Sequence, residues 1–122
     1  MSGDRLRLGE IGEDLAVQEL ERRGYAVLAR RYRRRCGEID IVAIDGQTLV
    51  FVEVKARDGL RYGPAAEAVT AIKRRRIVAT ARDFLVRHGC RSQPCRFDVV
   101  AVHVSQEGPE VEVFQNAFDA SG

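Results

Sequence analysis

Asp40, Glu53 and Lys55 are the residues of this sequence whose types and spacing could do chemistry. They interrupt two otherwise apolar stretches, 38–44 and 49–55, which the pattern predicts to be neighbouring β-strands. Because charge inside a buried strand is costly unless it is paired or binds a metal, the three charges require an explanation. Two carboxylates and a lysine are the groups with which a protein holds a hard divalent cation beside a phosphate.

The register of this hairpin decides whether the charged side chains meet. Asp45-Gly46, between the two stretches, indicates a tight turn. Side chains alternate between the faces of a strand, so Glu53 and Lys55 share a face. A two-residue loop places Asp40 diagonal to Glu53, a four-residue loop places it directly opposite, and a three-residue loop sends it to the other face. Two of these three registers predict that Asp40, Glu53 and Lys55 converge.

A magnesium or manganese ion is the cofactor that such a cluster predicts. Asp40 and Glu53 would be its ligands, with the carbonyl oxygen of Val54 as a third, and Lys55 would orient water or stabilise developing charge. Glu13 would complete the site from the first helix if that helix packs across the sheet. The alternative is a structural ion pair in which Lys55 neutralises one carboxylate, and the spacing alone leaves both interpretations open.

Basic residues are concentrated in two segments, 30–35 and 73–76, although the net charge is only +2. Such clustering is typical of a protein that binds a polyanion, whereas a solvated surface is the alternative for each segment taken alone. Of the 20 basic residues, all but Lys55 and Lys73 are arginine. The chain therefore places a lysine beside the carboxylates although it uses arginine at nearly every other basic position. The residues predicted to bind nucleic acid are Arg31, Arg33, Arg34, Arg35, Arg57, Lys73 and Arg74.

Length and composition predict a single globular domain over residues 1–122. No apolar run is long enough to span a membrane, and no hydrophobic stretch follows the charged N-terminus, so neither membrane insertion nor secretion is expected. Three cysteines, an odd number with irregular spacing, fit reduced thiols better than a disulfide framework. The protein is therefore expected to be cytoplasmic.

Hydrophobic periodicity and turn residues predict the elements that must position the charged cluster. Pro64 suits the first turn of a second helix, and Gly89 suits its end. The order α-β-β-β-α-β-β predicts an α/β fold in which a mixed central sheet is flanked by helices. The predicted elements are a helix over about 8–23, strands over 25–32, 38–44 and 49–55, a helix over about 65–88, and strands over 96–104 and 111–115.

The remaining residues with possible chemistry have simpler explanations. Asp98 is predicted to hydrogen-bond to Arg96 or to the hairpin rather than to bind metal. Cys36 is expected to be an incidental thiol, because no histidine lies near it in sequence. Tyr32 and Tyr62 are expected to pack in the core or at its rim rather than to stack on bases. Zinc binding is not expected, because the spacing of four further histidines and cysteines matches no common zinc site. These residues are His88, Cys90, Cys95 and His103.

Asp40, followed a dozen residues later by Glu53-Val54-Lys55, resembles the PD-(D/E)xK nuclease signature, with Ile39 where that signature often has proline. The whole chain more closely resembles the YraN family of small bacterial proteins, described as endonuclease-like. The resemblance spans nearly the full length in a specific order of motifs. The segments that carry it are Gly12-Glu13-Asp14-Leu15-Ala16, Gly37-Glu38-Ile39-Asp40, Phe51-Val52-Glu53-Val54-Lys55-Ala56-Arg57, Lys73-Arg74-Arg75 and Arg96-Phe97-Asp98-Val99-Val100.

This resemblance implies a restriction-endonuclease-like fold, similar to archaeal Holliday-junction resolvases. In those enzymes a glutamate of an early helix, a strand aspartate and a Glu-x-Lys pair form the site. Carried over to this sequence, the catalytic residues are Glu13, Asp40, Glu53 and Lys55. Arg31 departs from the family pattern, which tends to place asparagine there.

The expected function is hydrolysis of phosphodiester bonds in branched or structured DNA by a metal-dependent endonuclease. Symmetric cutting of two strands would call for a homodimer, although no apolar stripe in the sequence clearly marks an interface. The alternative is a non-catalytic nucleic-acid-binding module on a nuclease scaffold, acting as a partner in DNA repair or recombination. An interaction protein with no nucleic-acid role is a third possibility.

Overall fold

The computed structural model describes residues 2–58 and 69–120, with side chains described from residue 7 onward. The observed order of elements, α-β-β-β-α-β-β, confirms the predicted order and the mixed sheet flanked by helices. The elements are helix α1 (Ser2–Arg22), strands β1 (Ala26–Arg34), β2 (Gly37–Asp45) and β3 (Thr48–Asp58), helix α2 (Ala71–Arg87), and strands β4 (Cys95–Val104) and β5 (Glu110–Phe118).

The five strands form one sheet in sequential order, β1-β2-β3-β4-β5. Three neighbouring pairs are antiparallel, whereas β3 and β4 are parallel because the chain returns through α2 between them. Helix α1 packs mainly on β3 and β4, and α2 packs mainly on β2. Neither helix, over its described residues, is long and apolar enough to cross a bilayer.

Two apolar clusters lie on the two faces of the sheet, and both helices depend on them. On the α1 side, Leu20 packs among alternate strand residues such as Ile41 and Val52. On the α2 side, Phe84 packs among the intervening residues, such as Val42 and Phe51. Strands β2 and β3 are therefore buried on both faces, which explains why their sequences are nearly continuous apolar runs.

The β2–β3 hairpin has the register in which Asp40 lies directly opposite Glu53. Ile44 pairs with Leu49, as in the four-residue loop considered above. Pairing nevertheless continues one step further, to Asp45 and Thr48, so that the turn itself contains only residues 46 and 47. Gly46 has a φ of +64°, a conformation that glycine adopts without steric cost.

Helix α2 begins later than the predicted position near residue 65. Thr70 is extended, with φ −66° and ψ 161°, and its side-chain oxygen accepts the backbone N–H of Lys73 at 3.2 Å. A threonine that caps in this way satisfies one of the free donors of the first turn, so the helix begins at Ala71. Pro64 and residues 65–68 lie outside the described part of the chain. At the other end, Gly89 follows the helix with a φ of +66°, as predicted.

The approach of α1 to the sheet is closest at Gly12. A Cβ atom added to Gly12 would lie 2.5 Å from the Cβ of Ala56, near the end of β3. Gly9, one turn earlier in the same helix, has nothing within 4 Å of such an atom. Glycine at position 12 therefore allows helix and strand to approach, whereas glycine at position 9 serves no packing purpose within the described structure.

We expect the two glycines to respond in opposite directions to substitution by alanine. Gly9→Ala should raise the free energy of unfolding by about 0.5–1 kcal/mol, because alanine is the better helix former. Gly12→Ala should lower it by about 1–2 kcal/mol, because overpacking costs more than the gain in helix propensity. Urea denaturation of both variants provides the measurement. A change of the same sign in the two variants would contradict the close approach of α1 to β3.

Candidate active site

Strands β2 and β3 separate at the position of the predicted site. Their backbone ladder ends at the pair Ile41–Val52. Beyond that pair, β2 continues beside β1 and β3 continues beside β4. Asp40 and Glu53 are the first residues past the last pair, so they face each other where the two strands diverge. We call this position the fork.

The carboxylate of Asp40 bridges the fork. Its Oδ2 accepts a hydrogen bond from the backbone N–H of Val54 at 2.8 Å. An N–H group that has lost its ladder partner needs another acceptor, and the aspartate supplies one. On the opposite side of β2, Arg31 lies across from Asp40 and has a φ of +54°. Asparagine adopts this left-handed conformation more readily than arginine, which gives a physical reason for the asparagine of the family pattern.

The two carboxyl groups at the fork repel each other as anions. Glu53 is only 5% exposed, and Asp40 is half-buried. Burial raises the pKa of Asp40 to about 8, with further contributions from its hydrogen bond to Glu53 and from the charge of Glu53. The Val54 N–H and the charge of Lys73 act in the opposite direction. Near neutral pH, and without another cation, the pair therefore holds a proton between its oxygens.

A lysine of α2 reaches the same carboxyl pair. The Nζ of Lys73 lies 2.7 Å from Oε2 of Glu53, which is an ion-pair distance. The ammonium does not meet this oxygen along a hydrogen-bonding direction, and no other described residue donates to it, although the oxygen is buried. Sequence reasoning assigned Lys73 to phosphate binding and missed this contact. The sequence feature that could have indicated it is a lysine, in a chain that otherwise uses arginine, at the start of a helix where a cation is disfavoured.

Lys55 lies one alternation further along β3 than Glu53. The β3–β4 ladder is unbroken from Leu49 to Asp58, so Lys55 lies on the same side of the sheet as Glu53. Its side chain is half-buried and makes no ion pair or hydrogen bond with any described residue. The fork thus brings Asp40, Glu53 and Lys73 into contact and leaves Lys55 beside them.

Glu13 lies at the sheet on the α1 side and is held by two arginines of β1. Its Oε1 accepts from Nε of Arg30 at 2.8 Å, and its Oε2 accepts from Nε of Arg31 at 3.2 Å. The residue is 7% exposed, and the hydrogen bonds of its carboxylate go to Arg30 and Arg31 rather than to residues of the fork. Within residues 2–58 and 69–120, no three His, Cys, Asp or Glu side chains are grouped to hold a metal ion. The catalytic role of Glu13 stays a prediction.

Most of the predicted nucleic-acid-binding residues have partners within the chain. The exposed or half-exposed pairs among them, Arg33 with Glu38 and Arg34 with Asp83, contribute little stability. The carboxylates of Glu13 and Glu53 are buried, so the pairs of these two residues with Arg31 and Lys73 are costly to break. Arg35 is exposed and Arg57 half-buried, and neither has an ion pair among the described residues. The partnered residues are Arg31 with Glu13, Arg33 with Glu38 at 3.2 Å, Arg34 with Asp83 at 3.3 Å, Lys73 with Glu53, and Arg74 over the ring of Phe118 at 5.6 Å.

Asp98 takes part in a buried network away from the fork. The residue is fully buried, and its Oδ1 accepts from Nε of Arg96 and from the backbone N–H of Asn116, both at 2.9 Å. The hydroxyl of Tyr25 accepts from Arg96 at 2.7 Å and completes the network. The predicted contact between Asp98 and Arg96 is present, and it ties β4 to β5 and to the start of β1.

The aromatic and sulfur-containing candidates lie in structural positions. The Tyr32 ring packs edge-on against Phe84, and its hydroxyl donates to Asp83 at 2.8 Å. The Nδ1 of His88 lies 2.9 Å from the carbonyl oxygen of Phe84. Cys36, Cys90 and Cys95 are free thiols. Tyr62 lies outside the described residues.

Comparison with known proteins identifies the family. A UPF0102 protein of Symbiobacterium thermophilum is 50% identical over 115 residues, which cover 93% of this chain and 98% of that protein. A UPF0102 protein of Anaeromyxobacter dehalogenans is 47% identical over 118 residues, which cover 97% and 88% of the two chains. The family model described as "Uncharacterised protein family UPF0102" matches residues 12–102. The chain therefore belongs to the UPF0102 family, which is the YraN family that its motifs resemble.

Proposed function

We propose that this protein is a metal-dependent endonuclease that hydrolyses phosphodiester bonds in branched or structured DNA. The observation that carries the proposal is the fork, where the buried carboxyl group of Glu53 and the half-buried one of Asp40 face each other across diverging strands. Oε2 of Glu53 is buried without a well-aligned hydrogen bond, and such an oxygen is available to a cation. The PD-(D/E)xK resemblance supports the same chemistry.

The donor atoms at the fork fit magnesium or manganese. Both ions prefer oxygen ligands, and magnesium is commonly held by one or two carboxylates together with waters and substrate phosphate. Asp40 and Glu53 supply the carboxylates, and the carbonyl of Val54 is the proposed third protein ligand. A divalent ion would also replace the shared proton that the raised pKa of Asp40 implies. A third carboxylate is not required for such a site.

Each residue at the fork has a distinct role in this proposal. Asp40 and Glu53 would hold the ion, which when bound would supply Lewis-acid activation of the phosphate and of a water nucleophile near neutral pH. Lys55, with no partner among the described residues, stabilises the negative charge that develops on the phosphate. Glu13 is proposed to support the site from the α1 side, where it is paired with Arg31.

The proposed substrate follows from the arginines and from the family resemblance. Arg33 is 73% exposed in its side chain, and Arg35 is exposed at the same end of β1. The β1–β2 connection packs against α2, because a Cβ at Gly37 would lie 3.2 Å from the Cβ of Arg76. The end of the first arginine-rich segment therefore lies beside the second, and clustered arginines suit a nucleic-acid backbone. DNA rather than RNA, and branched rather than linear DNA, rest on the resemblance to junction resolvases.

A non-catalytic nucleic-acid-binding module is the second candidate. The observation that favours it is the pairing of Glu13, whose carboxylate accepts hydrogen bonds from Arg30 and Arg31 instead of taking part in the fork's described contacts. Such a module would act as a partner in DNA repair or recombination. Its binding to DNA would weaken with salt but would be indifferent to Mg²⁺ or Mn²⁺.

We expect the wild-type protein to cleave at least one member of a panel of linear, nicked, flapped and four-way DNA in the presence of Mg²⁺ or Mn²⁺. Asp40→Asn and Glu53→Gln should each lower the cleavage rate about a hundred-fold or more, the scale on which one lost electrostatic contact at a reacting group is felt. Gel analysis of end-labelled substrates gives the rates.

The matched control for these variants is Glu112→Gln, which neutralises an exposed carboxylate on edge strand β5. It should leave the cleavage rate within about two-fold of the wild type, because surface substitutions away from the site have small effects. Metal-independent binding without cleavage of any substrate would favour the second candidate. Cleavage that survives both fork substitutions would remove the proposed site.

The metal-free protein should lose stability as the pH rises from about 4 to about 8. The native pKa of Asp40 is raised from 3.8 to about 8, so over this window the native state retains a proton that the unfolded state releases. The stabilisation is complete below pH 4 and is lost as the pH rises through about 8. Asp40→Asn removes this titration and should make the midpoint of urea denaturation less dependent on pH.

Urea denaturation in EDTA at pH 5 and pH 9 provides this measurement, and the difference between wild type and Asp40→Asn cancels the other titrating groups. Manganese added at pH 8 should restore stability to the wild type only, since a ligand of the native state stabilises it by mass action. Equal pH dependence in the two proteins would show that Asp40 does not hold the extra proton.

A further inference from the structure

Lys73 occupies the position beside Glu53 that a metal ion would require. Its Nζ is 2.7 Å from Oε2 of Glu53, the same oxygen that is buried without a well-aligned hydrogen bond. The side chain of Lys73 is 44% exposed, whereas that of Glu53 is 5% exposed. The lysine therefore approaches a buried carboxylate from the solvent side and can leave it without crossing the core.

Lys73 lies in the first turn of a helix, where a basic residue is usually disfavoured. It is the third residue of α2, and no acidic residue lies in that first turn. A cation at this end is disfavoured by the helix dipole, and glutamate is the residue that commonly caps from this position. The hydrogen bond from its backbone N–H to Thr70 nevertheless fixes the start of the helix at the fork. Local rules broken in this way are expected at functional sites.

We propose that Lys73 is a resident counter-ion of the fork, which a divalent cation displaces and which then binds the phosphate beside the scissile bond. The inference rests on the proposed function and adds a positioning residue to it. The single charge of Lys73 contacts one carboxylate, whereas a divalent ion would contact both and match their combined charge. The ion therefore replaces the lysine instead of binding beside it.

The flexible stem of lysine makes this exchange feasible. Four methylene groups carry a compact charge that can move from Glu53 to a phosphate on the solvent side without a change in the backbone of α2. This chain uses arginine at nearly every other basic position. An arginine would hold the carboxylate with two parallel N–H donors of its planar guanidinium group and would leave it less readily. Lysine at position 73 is therefore the residue type that displacement requires.

The test is calorimetric titration of the metal-free protein with Mn²⁺ alone, with Lys73→Met as the variant. Removing the competing cation should tighten Mn²⁺ binding about three- to five-fold, the upper end of the scale for a partly exposed ion pair. Arg75→Met is the matched control, because Arg75 is an exposed cation two positions along α2 with no ion pair among the described residues. It should change Mn²⁺ affinity by less than two-fold.

The outcomes separate displacement from its rivals. If Lys73→Met and Arg75→Met tighten Mn²⁺ binding equally, the total positive charge of α2 sets the affinity rather than displacement of Lys73. This result would overturn the inference. If Lys73→Met binds Mn²⁺ as the wild type does or more weakly, the Lys73–Glu53 ion pair is purely structural. This result would also overturn the inference. If Lys73→Met does not fold, Lys73→Gln replaces it with the same expectations. If the wild type cleaves DNA but Lys73→Met does not bind Mn²⁺ more tightly, only this inference is rejected. If neither the wild type nor any variant binds Mn²⁺, the proposed function is rejected as well.

A second readout tests the phosphate contact. The affinity for a four-way DNA junction is measured against salt, once in EDTA and once with Ca²⁺ as an oxygen-seeking ion. In Ca²⁺ the slope of log affinity against log salt should be steeper for wild type than for Lys73→Met by about 0.7–0.9, the value of one phosphate contact. In EDTA the two slopes should agree, because Glu53 then holds the lysine. Equal slopes in Ca²⁺ would overturn the second half of the proposal.

Discussion

The separation of β2 and β3 after the pair Ile41–Val52 is the constraint on which the rest of the structure depends. A strand that loses its neighbour exposes backbone donors, and in a sheet buried on both faces those donors need new acceptors. Asp40 meets this need by accepting from the Val54 N–H at 2.8 Å. The side chain that satisfies the free backbone donor is therefore also one of the two carboxyl groups at the fork.

The cost of this arrangement is a pair of carboxyl groups in a poorly solvated place. Burial and the neighbouring Glu53 raise the pKa of Asp40 to about 8, so the pair favours a shared proton over two charges. Lys73 offsets part of the remaining charge from the first turn of α2. Replacement of a buried ion pair by well-packed apolar residues is often neutral or stabilising, so stability alone does not account for these charges.

The two helices position the fork from opposite faces of the sheet. Helix α2 brings Lys73 to Glu53, and the Thr70 cap sets where that helix begins. Helix α1 approaches β3 closely at Gly12, and the neighbouring Glu13 binds the two arginines of β1 that lie next to Asp40. The left-handed conformation at Arg31 accompanies this contact, and strained backbone of this kind is concentrated at functional sites.

The sequence by itself determined the element order and the buried hairpin, because hydrophobic period and side-chain alternation are local properties of the chain. It favoured the meeting of Asp40 with Glu53 without settling it, because that meeting depends on the hairpin register. The turn residues reduced the hairpin to a few registers, and the pairing of Ile44 with Leu49 selected one of them. The start of α2 was misplaced, since proline and helical periodicity suggested an earlier turn than the one that Thr70 caps. Only the tertiary structure decided that Lys73 contacts Glu53 and that Arg30 and Arg31 hold Glu13. Such contacts join elements that are distant in sequence, and they follow from how helices pack on a sheet rather than from any pattern within the elements.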